Sequence, residues 1–114
     1  MGEFCSVRVW QLKPDASAAD FETLAATGFA EMHRWIPGVK QLSLVRQPHA
    51  TGMRYLVITT FINIEAYNYW RLVEEEGQDY WERYASVMMH WEQLVRLVEE
   101  YSGDYLPLQE QNAL

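Results

Sequence analysis

The chain has 114 residues, enough for one domain, and its 49% hydrophobic and 22% charged residues are typical of a folded protein rather than a disordered one. A net charge of −7 excludes the basic surface that nucleic acid or an anionic membrane requires, so neither is expected as a partner. The single cysteine, Cys5, excludes an internal disulfide, and the three histidines lack metal-ligand spacing, so no metal is expected. The N-terminus does not resemble a signal peptide, and no apolar run reaches the ~18 residues of a membrane span, which predicts a cytoplasmic protein.

The first part of the chain predicts a strand and then a helix. Residues 3–13 alternate between two sets of side chains, which is the period of a strand. Residues 18–36 predict a helix, because Ser17 is a good N-cap and apolar residues follow at helical spacing before Pro37-Gly38 ends the pattern. These apolar residues are Phe21, Leu24, Ala25, Gly28, Met32 and Ile36.

Two further strands follow as a hairpin. Residues 40–47 and residues 53–62 have the β-branched, alternating character of strands. Residues 48–52, which contain Pro48 and Gly52, predict the turn between them, so the two strands pair antiparallel.

The second helical region covers residues 64–91 and is capped by Asn63. The run Glu74-Glu75-Glu76-Gly77 predicts a break, and the aromatic and apolar residues after it recur at helical spacing. They are Tyr80, Tyr84, Val87, Met88 and Trp91. Residues 93–101 fit either an extension of this helix or a fourth strand, and the strand is preferred because β-branched residues recur and a three-stranded sheet would be short.

The element order β-α-β-β-α-β predicts an α+β protein of the ferredoxin-like type. Right-handed crossovers place the first and third strands at the centre of a four-stranded antiparallel sheet, with the helices on one face. We expect one domain over residues 1–103. A C-terminal tail over residues 104–114 follows, and the chain from Ser102 onward is expected to be loose or to wrap a partner.

The third strand predicts a homodimer, because both of its faces are largely apolar. Tyr55, Val57, Thr59 and Phe61 point one way, and Leu56, Ile58, Thr60 and Ile62 point the other. Two helices cover one face of such a sheet, so a second copy of the sheet is the simplest cover for the other face. The alternative is that the chain's own tail covers it.

The segment from Thr60 to Trp70, in which a strand ends at an aromatic residue and a capped helix with Ala, Tyr and Trp follows, resembles the antibiotic-biosynthesis monooxygenase-like family. That family consists of dimeric α/β barrels and includes haem-degrading monooxygenases. The resemblance implies a ferredoxin-like dimeric α/β barrel with a pocket between sheet and helices. It covers residues 3–101 in element order.

Site residues follow from the same resemblance. The haem degraders carry an Asn on the first strand and a His about ten residues beyond the Trp, but here those positions hold Val7 and Tyr80 or Tyr84, so the resemblance does not imply haem breakdown and no cofactor is expected. The quinone-forming members use Asn, Trp and Tyr groups on a phenolic substrate. The corresponding catalytic candidates are Asn63, Asn68, Trp70 and Tyr84, and the pocket candidates are Val7, Tyr80, Met88 and Trp91.

Other chemically capable residues have a structural interpretation as well. Arg8 is expected on the face toward the partner sheet, where Glu100 could form a salt bridge with it. The alternative is that Arg8 anchors a bound anion. The Glu74–Glu76 run is expected to be solvated, and Cys5 to be a small core residue. His33 is expected on the polar side of its helix, and His90 on a helix surface, with a general-base or axial-ligand role as its alternative.

Besides haem binding through His90, which a Soret shift on addition of hemin would test, two functions remain open from the sequence. The first is a cofactor-free monooxygenase that acts on an aromatic small molecule. The second is a dimer without turnover that binds a small ligand or has a structural or stress-related role. A cleft of several hundred cubic ångströms with convergent polar groups would favour the enzyme, whereas a space filled by the chain's own Trp and Tyr side chains would favour the second function.

Overall fold

A computed structural model describes residues 2–34 and 36–108 of the protein. Its centre is a four-stranded antiparallel sheet in the order β2-β3-β1-β4. The strands are β1 (Phe4–Leu12), β2 (Val39–His49), β3 (Gly52–Phe61) and β4 (Val95–Asp104). The helices lie on one face of the sheet, and the first and third strands are central, so the predicted α+β ferredoxin-like fold is confirmed.

The first helical region is interrupted by a π-helical turn. It consists of α1 (Ala18–Leu24), the π turn (Ala25–Phe29) and α2 (Ala30–Arg34). The predicted N-cap is confirmed, since the Ser17 hydroxyl accepts a hydrogen bond from the Asp20 amide at 3.1 Å. The wider π turn carries one extra residue and adds Phe29 to the buried stripe, while Gly28, which the sequence places on that stripe, packs closely against Val87 and Leu24.

The hairpin between β2 and β3 is tighter than the sequence predicts. Pro48 pairs with Met53 and His49 pairs with Gly52, so the connection is only two residues long. A proline is tolerated here because β2 is an edge strand. Gly52 adopts φ 123°, a conformation that glycine reaches without steric strain.

The second helical region is divided as predicted, into α3 (Ile64–Glu76) and α4 (Gln78–Leu94), with Gly77 between them. The Asn63 side chain accepts a hydrogen bond from the Ala66 amide at 2.8 Å, which confirms this cap. Helix α4 runs three residues past its predicted end and contains a kink at Tyr84, where φ is −116° and ψ is 17°.

The ambiguous segment 93–101 is a strand from Val95, which confirms the preferred interpretation. The expectation of a loose chain from Ser102 is wrong for the first residues, because β4 continues to Asp104 and pairs with β1. The amide of Tyr105 also donates to the Glu3 carbonyl at 2.9 Å. Residues 109–114 of the predicted tail lie outside the described residues.

The core lies between the helices and the sheet face that carries Tyr55, Val57, Thr59 and Phe61. The prediction that Arg8 faces a partner sheet is wrong. Arg8 is opposite Val57 in the β1–β3 register, so Arg8 and its same-face neighbours point toward the helices. Both faces of β1 carry a mixture of residue types, so alternation alone did not decide which face is inside.

The opposite face of the sheet, which we call the open face, carries a central group of apolar side chains among polar ones. Register places there Val7, Val9, Val45, Leu56, Ile58 and Tyr101. The helices of the described chain do not cover this face, since they pack on the other side. Among the described residues, no helix combines the length and the hydrophobicity needed to cross a membrane.

Candidate active site between sheet and helices

Trp70 lies at the centre of the layer between the sheet and the helices. The Asn63 cap starts α3 directly after β3, and two turns later Trp70 is buried against the sheet. Its ring centroid is 5.3 Å from that of Phe61 and 6.1 Å from that of His33. The guanidinium carbon of Arg8 lies 4.6 Å from the Trp70 ring centroid, which is within the range of a cation–π contact.

Arg8 is held in place by two carboxylates. Its two terminal nitrogens donate to Glu74 at 2.9 and 3.1 Å, and its Nε donates to Glu100 at 2.9 Å. Burial acts to lower the pKa of Arg8, but the hydrogen bonds and charges of the two glutamates outweigh it, so the pKa is raised. The pairing with Glu100 was anticipated, whereas the expectation that Glu74 is solvated is wrong.

His33 is buried inside the same layer, with 2% of its surface exposed. Its Nδ1 lies 3.0 Å from the carbonyl oxygen of Phe29. A carbonyl oxygen only accepts, so Nδ1 carries the hydrogen and Nε2 keeps a lone pair. Burial, together with the nearby charge of Arg8, lowers the pKa of His33 to about 4, so the ring is neutral at neutral pH.

The prediction that His33 lies on the polar side of its helix is wrong, and the π turn is the reason. In a regular α-helix, residue 33 follows Met32 and is therefore rotated about 100° around the helix axis from the buried stripe that contains Phe21 and Met32. The extra residue of the π turn rotates the positions that follow it, so that His33 joins Met32 and Ile36, which both stay buried, on the inner side of the helix. It therefore turns the imidazole inward beside Phe29, whose ring centroid is 4.3 Å away.

The aromatic residues of α4 extend the layer toward both ends. Tyr80 and Tyr84 are buried with ring centroids 5.6 Å apart, and burial raises the pKa of Tyr80. Trp91 stacks on Phe29 at 4.2 Å with an interplanar angle of 23°. Its ring also meets that of Trp10 edge-on at 5.4 Å.

Several buried nitrogens in this layer have no hydrogen-bond partner within the described part of the chain. They are the Nε1 atoms of Trp10, Trp70 and Trp91 and the Nε2 atom of His33. Buried polar groups in folded proteins are nearly always bonded, so such a concentration needs an explanation. Trp81 provides the contrast, because its Nε1 donates to the backbone carbonyl of Glu74.

The structure brings together half of the residues predicted for the site. Trp70, Tyr80, Tyr84 and Trp91 are all buried in the layer, and Met88 packs at its margin. The side-chain oxygen of Asn63 serves the helix cap, and Asn68 is exposed on α3. Val7 lies on the open face, paired with Ile58 and Tyr101, on the far side of the sheet from Trp70.

Two cavities open between the first helical region and the edge strand β2. One has a volume of about 170 Å³ and includes Phe29 in its wall, and the other has a volume of about 240 Å³ and includes His33. They are neighbours, because Ala30 and Leu42 line both. The described residues contain no group of three or more His, Cys, Asp or Glu side chains placed to hold a metal ion.

Several solved structures have a fold similar to that of this chain. SnoaB, a cofactor-independent oxygenase from Streptomyces nogalater, is 17% identical, with a TM-score of 0.68 over 96% of this chain and 99% of its own. HapK from Hahella chejuensis is 18% identical, with a TM-score of 0.67 over 90% of this chain and 92% of its own. A Chloroflexus aurantiacus protein assigned to the antibiotic biosynthesis monooxygenases is 10% identical, with a TM-score of 0.61 over 92% and 94%.

The protein therefore has the fold of the antibiotic-biosynthesis monooxygenase-like proteins, as the segment from Thr60 to Trp70 led us to expect. The sequence itself matches no family model and no curated protein. At these identities the likeness concerns the fold, and the chemistry has to be argued from the side chains of this chain.

Proposed function

We propose that this protein is a cofactor-independent monooxygenase that acts on a hydroxylated aromatic small molecule and works as a homodimer. The observation that carries the proposal is the set of indole N–H groups that are buried between sheet and helices without a partner. The adjoining cavities are not lined by these indoles, so a flat aromatic substrate would displace side chains of the layer before its oxygen atoms accept hydrogen bonds from the free N–H groups. Arg8 and Trp70, the residues that would contact or orient the substrate, lie in the same layer, with the guanidinium of Arg8 over the Trp70 ring.

In such a reaction the substrate supplies the electrons. Loss of a proton from the substrate gives an anion that reduces dioxygen, one oxygen atom bonds to carbon, and the other leaves as water with the two hydrogens removed from that carbon. The protein has to bind, orient and deprotonate the substrate. Arg8 acts as a positioning residue, because its contact with Trp70 and its bonds to Glu74 hold the orientation of that ring.

The test uses 1,8-dihydroxyanthrone, an aromatic compound with an acidic methylene group. We expect the protein to accelerate oxygen uptake, followed with an oxygen electrode, and to form the quinone, followed by absorbance. Trp70→Phe keeps an aromatic ring but removes the N–H donor, and it should lower kcat/KM about tenfold for one lost hydrogen bond.

The matched control is Trp81→Phe, because the N–H of Trp81 is already bonded within the protein and is not available to a substrate. We expect its kcat/KM to equal that of the wild-type protein. Turnover by the wild-type protein no faster than spontaneous oxidation, measured with several hydroxylated anthrones and naphthols, contradicts the proposed activity.

The homodimer is supported by the open face of the sheet. It carries the half-buried apolar residues Leu56 and Ile58 and the exposed Val45, and exposed apolar residues on an uncovered sheet face favour an interaction site. Sedimentation of the wild-type protein at micromolar concentration should show two copies. Ile58→Asp should give a folded single copy, whereas Leu72→Asp, on the exposed side of α3, should leave the dimer intact.

A second candidate function, a dimer without turnover that binds a ligand or has a structural or stress-related role, is favoured by one specific observation. The space between sheet and helices is filled by the protein's own Trp70, Tyr80 and Trp91 side chains, and the two adjoining cavities are small. The anthrone assay separates the two candidates, since this one predicts binding without oxygen uptake.

A further inference from the structure

We propose that Nε2 of His33 is the proton acceptor of this site, and that it receives the proton of a hydroxyl or an acidic C–H group of the aromatic substrate. The inference rests on the proposed function and deepens it by naming the base. Helical spacing does not indicate such a role, because a regular helix would turn this side chain away from the core.

The geometry of the ring supports an acceptor role. The Phe29 carbonyl fixes the tautomer in which Nδ1 carries the hydrogen, at an Nδ1–O distance of 3.0 Å. Nε2 is left with a lone pair that is buried and has no donor among the described residues. A buried acceptor without a donor is destabilising, and a substrate O–H group would supply the missing hydrogen bond.

His33 lines a cavity, and a substrate bound there would lie next to this residue, whose Nε2 is itself buried. The cavity volume of about 240 Å³ exceeds the ~150 Å³ of a cavity that is known to hold benzene, so one aromatic ring fits. Val39 and Leu42 form apolar walls, and Arg34 and Lys40 line the same cavity. The neighbouring cavity reaches Phe29, which packs against the imidazole, so a second fused ring has a place to extend.

The charged groups around His33 keep the free ring neutral. Arg8 approaches from β1 with its charge balanced by Glu74, Lys40 lies on β2, and Arg34 follows on the same helix as His33. From α3 the nearest ring is the uncharged indole of Trp70. These surroundings disfavour an imidazolium ion when the site holds no anion, so the lone pair is available at neutral pH.

The proposed proton transfer balances within the site. The substrate O–H or C–H bond breaks, its electron pair stays on the substrate, and a new N–H bond forms at Nε2. The imidazolium and the substrate anion then form an ion pair, which offsets the cost of a buried charge. After the anion has reduced dioxygen, His33 returns the proton to the oxygen atom that leaves as water.

The test compares two substitutions that dissect the imidazole. His33→Asn retains an amide donor for the Phe29 carbonyl but removes the Nε2 acceptor, and His33→Gln retains an acceptor near the Nε2 position but cannot take up a proton. We expect both to lower kcat for 1,8-dihydroxyanthrone oxidation at least 100-fold, the usual range for loss of a general base. Only His33→Asn should weaken binding of 1-naphthol, by about tenfold. His90→Gln, on the exposed side of α4, is the control and should change neither quantity.

A second measurement does not depend on turnover or on a stable variant. In the full-length wild-type protein labelled with ¹⁵N-histidine, His33 should show an unprotonated Nε2, and saturating 1-naphthol should shift that resonance toward its hydrogen-bonded position. An unchanged Nε2 resonance, or no binding of 1-naphthol, overturns the assignment of His33. A wild-type kcat in His33→Gln also overturns the assignment of His33, but it leaves the proposed oxygenase activity intact. If the wild-type protein takes up no oxygen while its Nε2 resonance still shifts, the oxygenase proposal is overturned and His33 remains the hydrogen-bond acceptor for the ligand.

Discussion

Glu74→Gln tests whether the ion pair beneath Trp70 is a buried interaction or a surface one. The side chains of Arg8 and Glu74 are 17% and 16% exposed, and two hydrogen bonds join them. Removal of one partner from a buried ion pair costs about 3–5 kcal/mol, because the other charge is left without compensation. Here Glu100 remains bonded to Arg8, and the new amide oxygen still accepts one hydrogen bond, so we expect a loss of about 2 kcal/mol.

The neighbouring residue provides a matched control. Glu75 is on the same turn of α3, and its pairing with Arg71 is a surface contact in which the two side chains are 58% and 40% exposed. Exposed helical pairs of this kind contribute about 0.3–0.5 kcal/mol. Glu75→Gln therefore makes the same chemical change to the same helix without touching the buried pair.

Both variants are measured by urea unfolding followed by circular dichroism at pH 7, with the wild-type protein at the same concentration so that dimer formation does not bias the comparison. We expect the free energy of unfolding to fall by about 2 kcal/mol in the first variant and by less than about 0.5 kcal/mol in the second. Equal losses in the two variants would refute the reasoning, since they would show that the environment of Arg8 is effectively solvent.

Three further predictions concern single contacts. Hydrogen bonds from Arg46, and secondarily from Tyr55, lower the pKa of Glu22 to about 2. The contact therefore stabilises the fold above the ordinary carboxyl pKa, and this stabilisation is lost as the pH falls toward 2. In Glu22→Gln, the free energy of unfolding should depend less steeply on pH in that range. Asn63→Ala should lose the helix cap and lower stability, measured by thermal unfolding, by about 1 kcal/mol, and Asn63→Asp should restore that stability. A catalytic role for Asn63 would instead leave Asn63→Asp stable but inactive. Gly38→Ala should cost about 1–3 kcal/mol, because φ is 90° and the new Cβ would lie 2.4 Å from that of Ala66; a neutral result by denaturant unfolding would contradict the observed turn.

The strands and their order could be predicted because the signal for them is local. Alternation in β1 and β3, the break after α3 and the two N-caps each depend on residues close together in the sequence, and the structure confirms them. The inner face of β1 could not be predicted in the same way. Val7 and Val9 are more apolar than Ser6 and Arg8, yet the latter two face the helices. Alternation assigns residues to two sets, and only long-range packing decides which set is buried when both faces are to be covered.

The candidate site was only partly predictable, for a related reason. Trp70 and the tyrosines of α4 follow from regular helical spacing, so the sequence located them. His33 depends on the π turn at Ala25–Phe29, and a π turn carries no reliable pattern in a single sequence. Glu74 depends on its contact with Arg8, which is 66 residues away. A contact at that separation is set by the tertiary fold and leaves no local signal.

The distribution of residues across the sheet links the proposed site to the proposed dimer. Ser6, Arg8 and Thr59 occupy the helix side, where burial of apolar residues would have stabilised a single copy most. Val7 and Ile58 occupy the open face, where a second copy would bury them in the proposed dimer. A single copy therefore gives up part of its hydrophobic stabilisation to place polar groups on the helix side of the sheet, and association in the proposed dimer would restore it. On this reasoning the Ile58→Asp variant should be both monomeric and less stable than the Leu72→Asp control, and an equally stable monomer would show that the polar inner face has no energetic connection with association.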